Sequence, residues 1–216
     1  MLLMPVALVT CGPAYEPIDE VRRITNQSTG ELGTILAETL AGSGFEVLCL
    51  RGEATTRPEP TNAKVLTFST NASLWTLLEK LTIQPAAVFH AAALCDFVVH
   101  AIEGVDDAQK IRSTTAELRL ILRPAVKVLP RLRTIFPQAV IVGWKYELDG
   151  SRPEAIARAR KQINSSSTDA CIVNGVAYGA GFGFVTLGGE DVSHFPDKAG
   201  LCEFLAKWTL QKLTRL

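Results

Sequence analysis

Residues that could bind a phosphate follow the first apolar segment of the chain. An apolar run at 6–10 ends in Cys11-Gly12-Pro13, and after a polar stretch residues 26–33 read NQSTGELG. Glycines and small hydroxyl side chains are therefore expected where a helix begins beside the end of the first strand. Free backbone N–H groups and the positive end of the helix dipole hold phosphate at such a point. The pattern predicts a site for a nucleotide or a phosphorylated substrate.

Two alternatives are open for these residues. Ser28 and Glu31 have the spacing of a capping box, in which they would only terminate a helix. A standard dinucleotide site is disfavoured, because the GxGxxG turn runs directly from strand to helix and a long polar segment separates Gly12 from Gly30. Arg51 after the second apolar run would permit NADP, which leaves an NADP-dependent reductase as a further alternative.

A second group of candidate residues follows the fourth apolar run. Three alanines at 91–93 are followed closely by Asp96. Small side chains at the end of a strand let a ligand approach the backbone, although an aspartate there could equally cap a helix. Lys110, Arg22 and Trp144 also have ordinary explanations, as solvated cations or as a core side chain.

Composition excludes several classes of protein. The 216 residues have a formal net charge of zero, so nothing indicates a nucleic-acid surface, and any phosphate site must be local. The apolar run at the N-terminus is too short to cross a membrane. The five cysteines are scattered, without a CxxC pair, and several lie in apolar runs. We therefore expect reduced, buried thiols and a cytoplasmic protein that has no membrane contact.

Strand-like apolar runs alternate with helical patterns. Strands are predicted at 6–10, 46–50, 64–68, 86–90, 139–143 and 170–173, with an edge strand at 183–187. Helices are predicted at 30–41, 72–81 (capped by Asn71), 126–135, 153–163 and 198–212. This order predicts one α/β domain over 1–216, with a Rossmann-like, mostly parallel sheet and helices on both faces. Residues 98–123 break the pattern and are interpreted as a flap or a dimerisation arm.

Five motifs, in order along the chain, resemble phosphopantothenoylcysteine synthetase, a ligase family of coenzyme A biosynthesis. The first, at 12–33, is similar to the family's long first loop, and AAALCDF at 91–97 is similar to AAAVSDF. The others are KIRS at 110–113, GWKYE at 143–147, and ARK at 159–161 followed by DACIVN at 169–174.

The resemblance implies that 4′-phosphopantothenate is activated by a nucleoside triphosphate and then joined to L-cysteine. Mg²⁺, with CTP or ATP as co-substrate, and a homodimer are expected. The chain lacks the flavin-binding decarboxylase domain that is fused to many bacterial homologues, so no FMN is expected. A non-catalytic nucleotide or pantothenate binder on the same fold is the alternative.

The resemblance also assigns residues to roles, with the metal ligands unknown. Those expected to bind the nucleotide are Gly12, Ser28, Gly30, Gly33, Trp144, Lys145 and Asn174. Those expected to bind phosphopantothenate or act in catalysis are Asn26, Lys110, Ala92, Ala93, Asp96 and, from the neighbouring subunit, Arg22. Gln162 and Ser166 stand where bacterial CTP-using members often have lysines, which leaves CTP or ATP open.

Overall fold

The computed structural model describes residues 4–104, 110–112, 117–189 and 191–214. Within those residues, eight strands form one central sheet in the order β12-β11-β10-β9-β6-β1-β4-β5. The six strands from β10 to β5 pair in parallel, whereas β11 and β12 are antiparallel. These strands are β1 (Val6–Cys11), β4 (Glu46–Gly52), β5 (Lys64–Phe68), β6 (Ala87–His90), β9 (Val140–Tyr146), β10 (Ala170–Asn174), β11 (Phe182–Val185) and β12 (Ser193–Phe195).

Helices cover both faces of this sheet, which confirms the predicted fold class. They are α1 (Glu31–Gly42), α2 (Asn71–Lys80), α3 (Leu129–Ile135), α4 (Arg152–Ser166) and α5 (Lys198–Leu213). The buried leucines of α1 and α5 pack on one face with Ala7 and Val9 of β1. Those of α2 and α3 pack on the other face with Leu8 of β1. Successive residues of β1 therefore face opposite layers, as the two-residue period of a strand requires.

Local sequence explains where several helices begin and end. Ser151 and Glu154 form a capping box at the start of α4. The cap of α2 is Thr70, whose side chain accepts a hydrogen bond from the Ser73 N–H, so the expectation that Asn71 caps this helix is wrong. The third helix begins at Leu129 rather than at 126, because Pro130 is tolerated only in the first turn.

The segment that broke the βα pattern forms a separate antiparallel ribbon of β7 (Phe97–Glu103) and β8 (Arg119–Pro124). Ser113, the last residue of the third motif, lies outside the described residues. The predicted edge strand is present as β11, but β12 pairs with its outer side and forms the edge instead. A small hairpin of β2 (Tyr15–Pro17) and β3 (Arg23–Thr25) had no sequence prediction.

All five cysteines are buried and free, as expected. Cys11 and Cys49 approach each other with a sulfur–sulfur distance of 3.5 Å. In the part of the chain that the structure describes, no helix combines the length and the apolar character needed to cross a membrane.

Candidate functional site

A cavity of about 1250 Å³ opens where the central parallel strands end. It lies between the start of α1, the loop that follows β6, the end of β9 and one face of α4. Its volume exceeds that of most pockets for one small ligand, so two substrates could occupy it together. The structure brings together here Asn26, Ser28, Gly30, Gly33, Ala92, Ala93, Asp96, Trp144, Lys145 and Asn174.

The start of α1 is open to a ligand. Gly30 occupies the N-cap position with φ of 75° and makes no side-chain capping bond. The capping-box alternative is therefore wrong: the Glu31 carboxylate turns away to pair with Arg57 and Lys198. Two N–H groups at this end already donate to nearby hydroxyls, Gly30 to Ser28 Oγ at 3.4 Å and Glu31 to Thr29 Oγ1 at 3.3 Å. The next amides, of Leu32 and Gly33, have no acceptor within the helix, and both residues line the cavity. That is the arrangement that binds anions such as phosphate.

Close packing shapes the loop below this helix end. Gly12 has φ of +77°, and a Cβ there would lie 1.9 Å from Thr55 Oγ1. A Cβ on Gly30 would lie 2.4 Å from Thr55 Cγ2. Gly12 is not among the residues that line the cavity, and it packs against the same Thr55 side chain as Gly30. Its contact with the nucleotide stays a prediction. Gly33 lines the cavity and also lets α1 approach Cys11, whose Cβ would be 2.2 Å from an added Cβ.

Asn26 joins two loops of the site. Its Nδ2 donates to the carbonyl oxygens of Ala93, at 3.2 Å, and Leu94, at 2.8 Å. Two carbonyl acceptors fix which end of the amide is the nitrogen, because only Nδ2 can donate to them. Oδ1 is then the end of the amide that can accept a hydrogen bond from a ligand. The same loops are joined by the Ala93 N–H, which donates to the Gly12 oxygen at 2.9 Å.

The cavity is locally cationic although the chain is neutral. Among the described residues, its charged lining comprises two acids, Glu31 and Asp96, and five cations, Lys127, Lys145, Arg158, Lys161 and Lys198. Glu147, beside the cavity, pairs with Lys145 at 3.1 Å and with Arg158 at 2.7 Å. Burial alone would raise the pKa of Glu147, but hydrogen bonds from both cations lower it below its usual value. An excess of cations in a cleft favours a polyanionic ligand.

Trp144 belongs to both the core and the cavity wall. It is partly buried and packs against the core cluster of α1 and α5, and it also lines the cavity. Within the described residues its Nε1 has no hydrogen-bond partner. Gln162 donates to the Trp144 carbonyl at 3.2 Å, and both Gln162 and Ser166 line the cavity. The positions expected to carry lysines therefore do face the site, with neutral side chains.

Two predicted residues lie away from the cavity of their own chain. Arg22 pairs with Asp19 and donates to the Ile111 carbonyl at 3.3 Å. The Ile111 N–H in turn donates to Asp19 at 3.1 Å. Lys110 is exposed immediately before this contact and does not line the cavity. Arg22 and Lys110 are thus held in one local unit.

Sequence reasoning missed several cavity residues, among them His90, Arg158 and Lys198. A lysine or arginine in an amphipathic helix gives no signal of its own, because solvated helix faces usually carry such residues. His90 ends an apolar strand, and the sequence analysis did not assign it to the site. The described residues contain no group of three or more His, Cys, Asp or Glu side chains suited to a metal ion.

Comparison with known proteins decides the family. Residues 4–188 match the model of the DNA/pantothenate metabolism flavoprotein C-terminal domain. The chain belongs to this family. The match confirms the family resemblance seen in the sequence motifs. The chain is also 33% identical over 186 residues to the coenzyme A biosynthesis bifunctional protein CoaBC of Thermococcus kodakarensis. That alignment covers 85% of this chain and 45% of the CoaBC protein.

Solved structures of the family domain share the fold. The DNA/pantothenate metabolism flavoprotein of Streptococcus pneumoniae aligns with a TM-score of 0.83 and 24% identity, covering 99% of both chains. A variant of Cab2 in complex with phosphopantothenate-cysteine aligns with a TM-score of 0.74 and 20% identity, covering 98% of this chain and 87% of that one. The chain spans about half the length of the curated relatives that it matches.

Proposed function

We propose that this chain is a ligase that joins 4′-phosphopantothenate to L-cysteine in coenzyme A biosynthesis. The observation that carries the proposal is the cavity in which the open end of α1 and the Asn26–Ala93 contact face each other. The cavity thus offers a site for phosphate beside a site where Asn26 can accept a hydrogen bond from an amide N–H of the substrate. The relative CoaBC is a coenzyme A biosynthesis protein, and a Cab2 variant of the same fold has been solved in complex with phosphopantothenate-cysteine.

The reaction has two steps. A carboxylate oxygen of phosphopantothenate attacks the α-phosphorus of the nucleotide, and pyrophosphate leaves with the electrons of the broken P–O bond. The cysteine amine then attacks the acyl carbon, a C–N bond forms, the C–O bond to the nucleotide breaks, and the amine loses a proton. Both steps depend mainly on positioning and on cations or N–H groups placed at developing negative charge.

We assign the two substrates to opposite sides of the cavity. The triphosphate would lie on the first turn of α1, at Ser28, Gly30 and Gly33, with the nucleoside against Trp144, Lys145 and Asn174. Phosphopantothenate would occupy the side lined by Asn26, Ala92, Ala93 and Asp96. Asn26 Oδ1 would accept a hydrogen bond from an N–H group of the acyl substrate. The carboxylate of that substrate would then meet the α-phosphate between the two sides.

The proposal includes Mg²⁺ as part of the nucleotide substrate. No acidic cluster of the described residues suits a resident metal, whereas Mg²⁺ commonly reaches such sites bound to phosphate oxygens with few protein ligands. CTP and ATP both fit the proposal. A cytoplasmic location is supported by the free thiols, since disulfides are rare in that compartment.

We further propose that the active form is a homodimer, with one domain of this kind in each chain. Support comes from Arg22 and Lys110, which lie in one local unit away from their own cavity. In a symmetric dimer that unit could complete the neighbour's site, with Arg22 on the substrate phosphate and Lys110 on the reacting group. The ribbon of β7 and β8, with exposed Phe97 and Leu122, is the proposed contact surface.

Mixed dimers test this arrangement. Asn26→Ala and Lys110→Ala chains are each expected to keep only a few per cent of the wild-type activity. If each site takes Asn26 from one chain and Lys110 from the other, mixing them after subunit exchange restores about a quarter of the activity. Activity that stays at the level of the separate variants would contradict sharing between subunits.

The first test of the ligase itself is pyrophosphate release with Mg²⁺, phosphopantothenate and L-cysteine, comparing CTP with ATP. We expect release that depends on phosphopantothenate, with phosphopantothenoylcysteine as the product. The nucleotide that supports faster release would decide between CTP and ATP. The neutral Gln162 and Ser166 in the cavity favour one second candidate, a non-catalytic binder. Folded protein that binds nucleotide or phosphopantothenate and releases no pyrophosphate would support that candidate instead.

A further inference from the structure

His90 is a buried histidine at the centre of the site. It ends β6, in register with Thr10 of β1 and Gly143 of β9, at the middle of the sheet's carboxyl edge. Only 7% of it is exposed, yet it lines the cavity. Its neighbours on the chain are the alanines of the proposed phosphopantothenate side, whereas β9 leads to Trp144 on the nucleotide side. His90 therefore lies where the two substrates would meet.

The hydrogen bonds around Thr10 indicate which ring nitrogen carries the proton. Thr10 Oγ1 lies 2.8 Å from His90 Nδ1 and accepts the Ala92 N–H at 3.4 Å. Thr10 is fully buried, and among the described residues Nδ1 is the acceptor within reach of its hydroxyl, so we assign the hydroxyl as the donor to Nδ1. A neutral imidazole that accepts at Nδ1 carries its hydrogen on Nε2.

The ring is neutral at physiological pH. Burial lowers the pKa of His90 to about 4, because desolvation disfavours the charged imidazolium. Nε2 has no hydrogen bond within the described residues, and it is not fully buried. With Nδ1 held by Thr10, Nε2–H is the polar group through which His90 meets the cavity.

We propose that the His90 Nε2–H group donates a hydrogen bond to the acyl oxygen of the phosphopantothenate carboxylate. This inference rests on the proposed ligase function. The donor stabilises the negative charge on that oxygen, which grows again when the cysteine amine attacks the acyl carbon. A neutral donor fixed by Thr10 needs no reorganisation during either step. His90 would thus act with Asn26, which accepts from the substrate while His90 donates to it.

Nuclear magnetic resonance of ¹⁵N-histidine protein tests the first part. The chain has three histidines, so the signals can be assigned with His100→Gln and His194→Gln variants. We expect His90 to be the Nε2–H tautomer and to stay neutral down to about pH 5. Phosphopantothenate should shift the Nε2 signal, and Thr10→Val should mix the tautomers. An Nδ1–H tautomer, or no response to phosphopantothenate, would overturn the proposal.

Paired substitutions test the second part. His90→Gln retains an N–H donor at a similar reach, whereas His90→Met fills similar space without one. We expect the maximal rate of product formation to fall about 10- to 100-fold in His90→Met and at most about 5-fold in His90→Gln. Nucleotide affinity should stay within about twofold of the wild type in both variants. Equal rates in the two variants would count against the donor role.

The two proposals fail separately. If His90→Met does not fold, the resonance measurements on the wild type and Thr10→Val still decide the question. If the wild type makes no phosphopantothenoylcysteine but its Nε2 signal responds to phosphopantothenate, the ligase function fails and the His90 contact stands. If the wild type is active but its Nε2 signal does not respond to phosphopantothenate, the His90 proposal fails and the ligase function stands.

Discussion

Polar groups are bonded within the protein at one end of the central sheet and left available to a ligand at the other. At the amino end, Asp169 precedes β10, and its Oδ2 accepts from Arg133 at 2.7 Å and from the Ile141 N–H at 2.9 Å. Its Oδ1 pairs with Lys212 at 2.8 Å. At the carboxyl end, α1 begins without a side-chain cap, and cations outnumber acids in the cavity among the described residues.

This difference separates stability from binding. A carboxylate whose two oxygens are both bonded to the protein's own donors stabilises the fold. Free amides and excess cations do little for the fold and leave their interactions for a ligand. Substitutions at the amino end should therefore change the free energy of unfolding, and substitutions at the carboxyl end should change binding and turnover.

The largest effect on binding is expected from Gly30→Ala. Gly30 has φ of +75°, and the new Cβ would lie 2.4 Å from Thr55 Cγ2, so either the Thr55 side chain or the loop must shift. A displacement of about 1 Å at a reacting group can cost about 100-fold in rate, and we expect a loss of nucleotide affinity on the same order when the phosphate loop moves. Titration calorimetry with the nucleotide measures it, with circular dichroism as the check on folding.

Gly44→Ala is the matched control for that change. Gly44 also has a left-handed backbone, with φ of +91°, but a Cβ there meets nothing within 4 Å. The strain should cost about 1 kcal/mol of stability and leave nucleotide binding unchanged. Equal losses of affinity in both variants would mean that the contact with Thr55 is not what shapes the phosphate loop.

Asn26→Ala should reduce turnover less steeply. It removes the Oδ1 acceptor and both bonds to the loop after β6, so we expect the maximal rate to fall about 30-fold, equivalent to about 2 kcal/mol. Steady-state kinetics of pyrophosphate release measures it. Asn62→Ala is the control, since Asn62 bonds Glu38 outside this cavity. Wild-type turnover in Asn26→Ala would exclude Asn26 from the reaction.

Much of the sheet was predictable, because buried parallel strands are continuous apolar runs bounded by polar loops. The strand Lys64–Phe68 was predicted to the residue, and the helix from Glu31 ends at Gly42 close to the predicted position. The hairpin of β2 and β3 could not be predicted, because its strands have three residues each and depend on contacts across the turn. The Thr70 cap was missed because neighbouring Thr and Asn both suit that position.

The candidate site was predictable only where a motif is contiguous. The loop at 26–33 and the alanines at 91–93 were found because their residues stand together in the sequence. Lys198 and Arg158 reach the cavity from distant helices, and no local pattern marks them. Glycine spacing alone does not distinguish a residue that faces a phosphate from one that supports the loop, so the role of Gly12 stays a prediction.

Asp169→Asn tests the amino end of the sheet. It removes the charge that pairs with Arg133 and Lys212, so we expect unfolding to cost about 1–2 kcal/mol less at pH 7, with allowance for partial exposure. Nucleotide affinity and turnover should stay unchanged, and denaturant unfolding measures the difference. If Asp169→Asn instead loses ligand affinity and keeps its stability, the proposed division between a stabilising amino end and a binding carboxyl end is wrong.

The pH dependence of that variant has a definite sign. Burial alone would raise the pKa of Asp169, but hydrogen bonds from Lys212, the Ile141 N–H and Arg133 lower it below its usual value. A carboxyl group with a lowered folded-state pKa contributes stability above its unfolded pKa, and loses it as the pH falls through the folded pKa. The gap in stability between wild type and Asp169→Asn should therefore be full at pH 7 and shrink below about pH 4.

The smallest effect is expected from Glu147→Gln, at the cavity end. Because its pKa is lowered, Glu147 is ionised at pH 7 and offsets Lys145 and Arg158, which line the cavity. Removing that charge should strengthen triphosphate binding about two- to threefold at low salt and much less at high salt, because exposed charges are screened. Glu79→Gln, a remote change of equal charge on α2, should not alter affinity. Weaker binding in Glu147→Gln would show instead that the carboxylate holds the two cations in place, so that position outweighs net charge at this edge of the site.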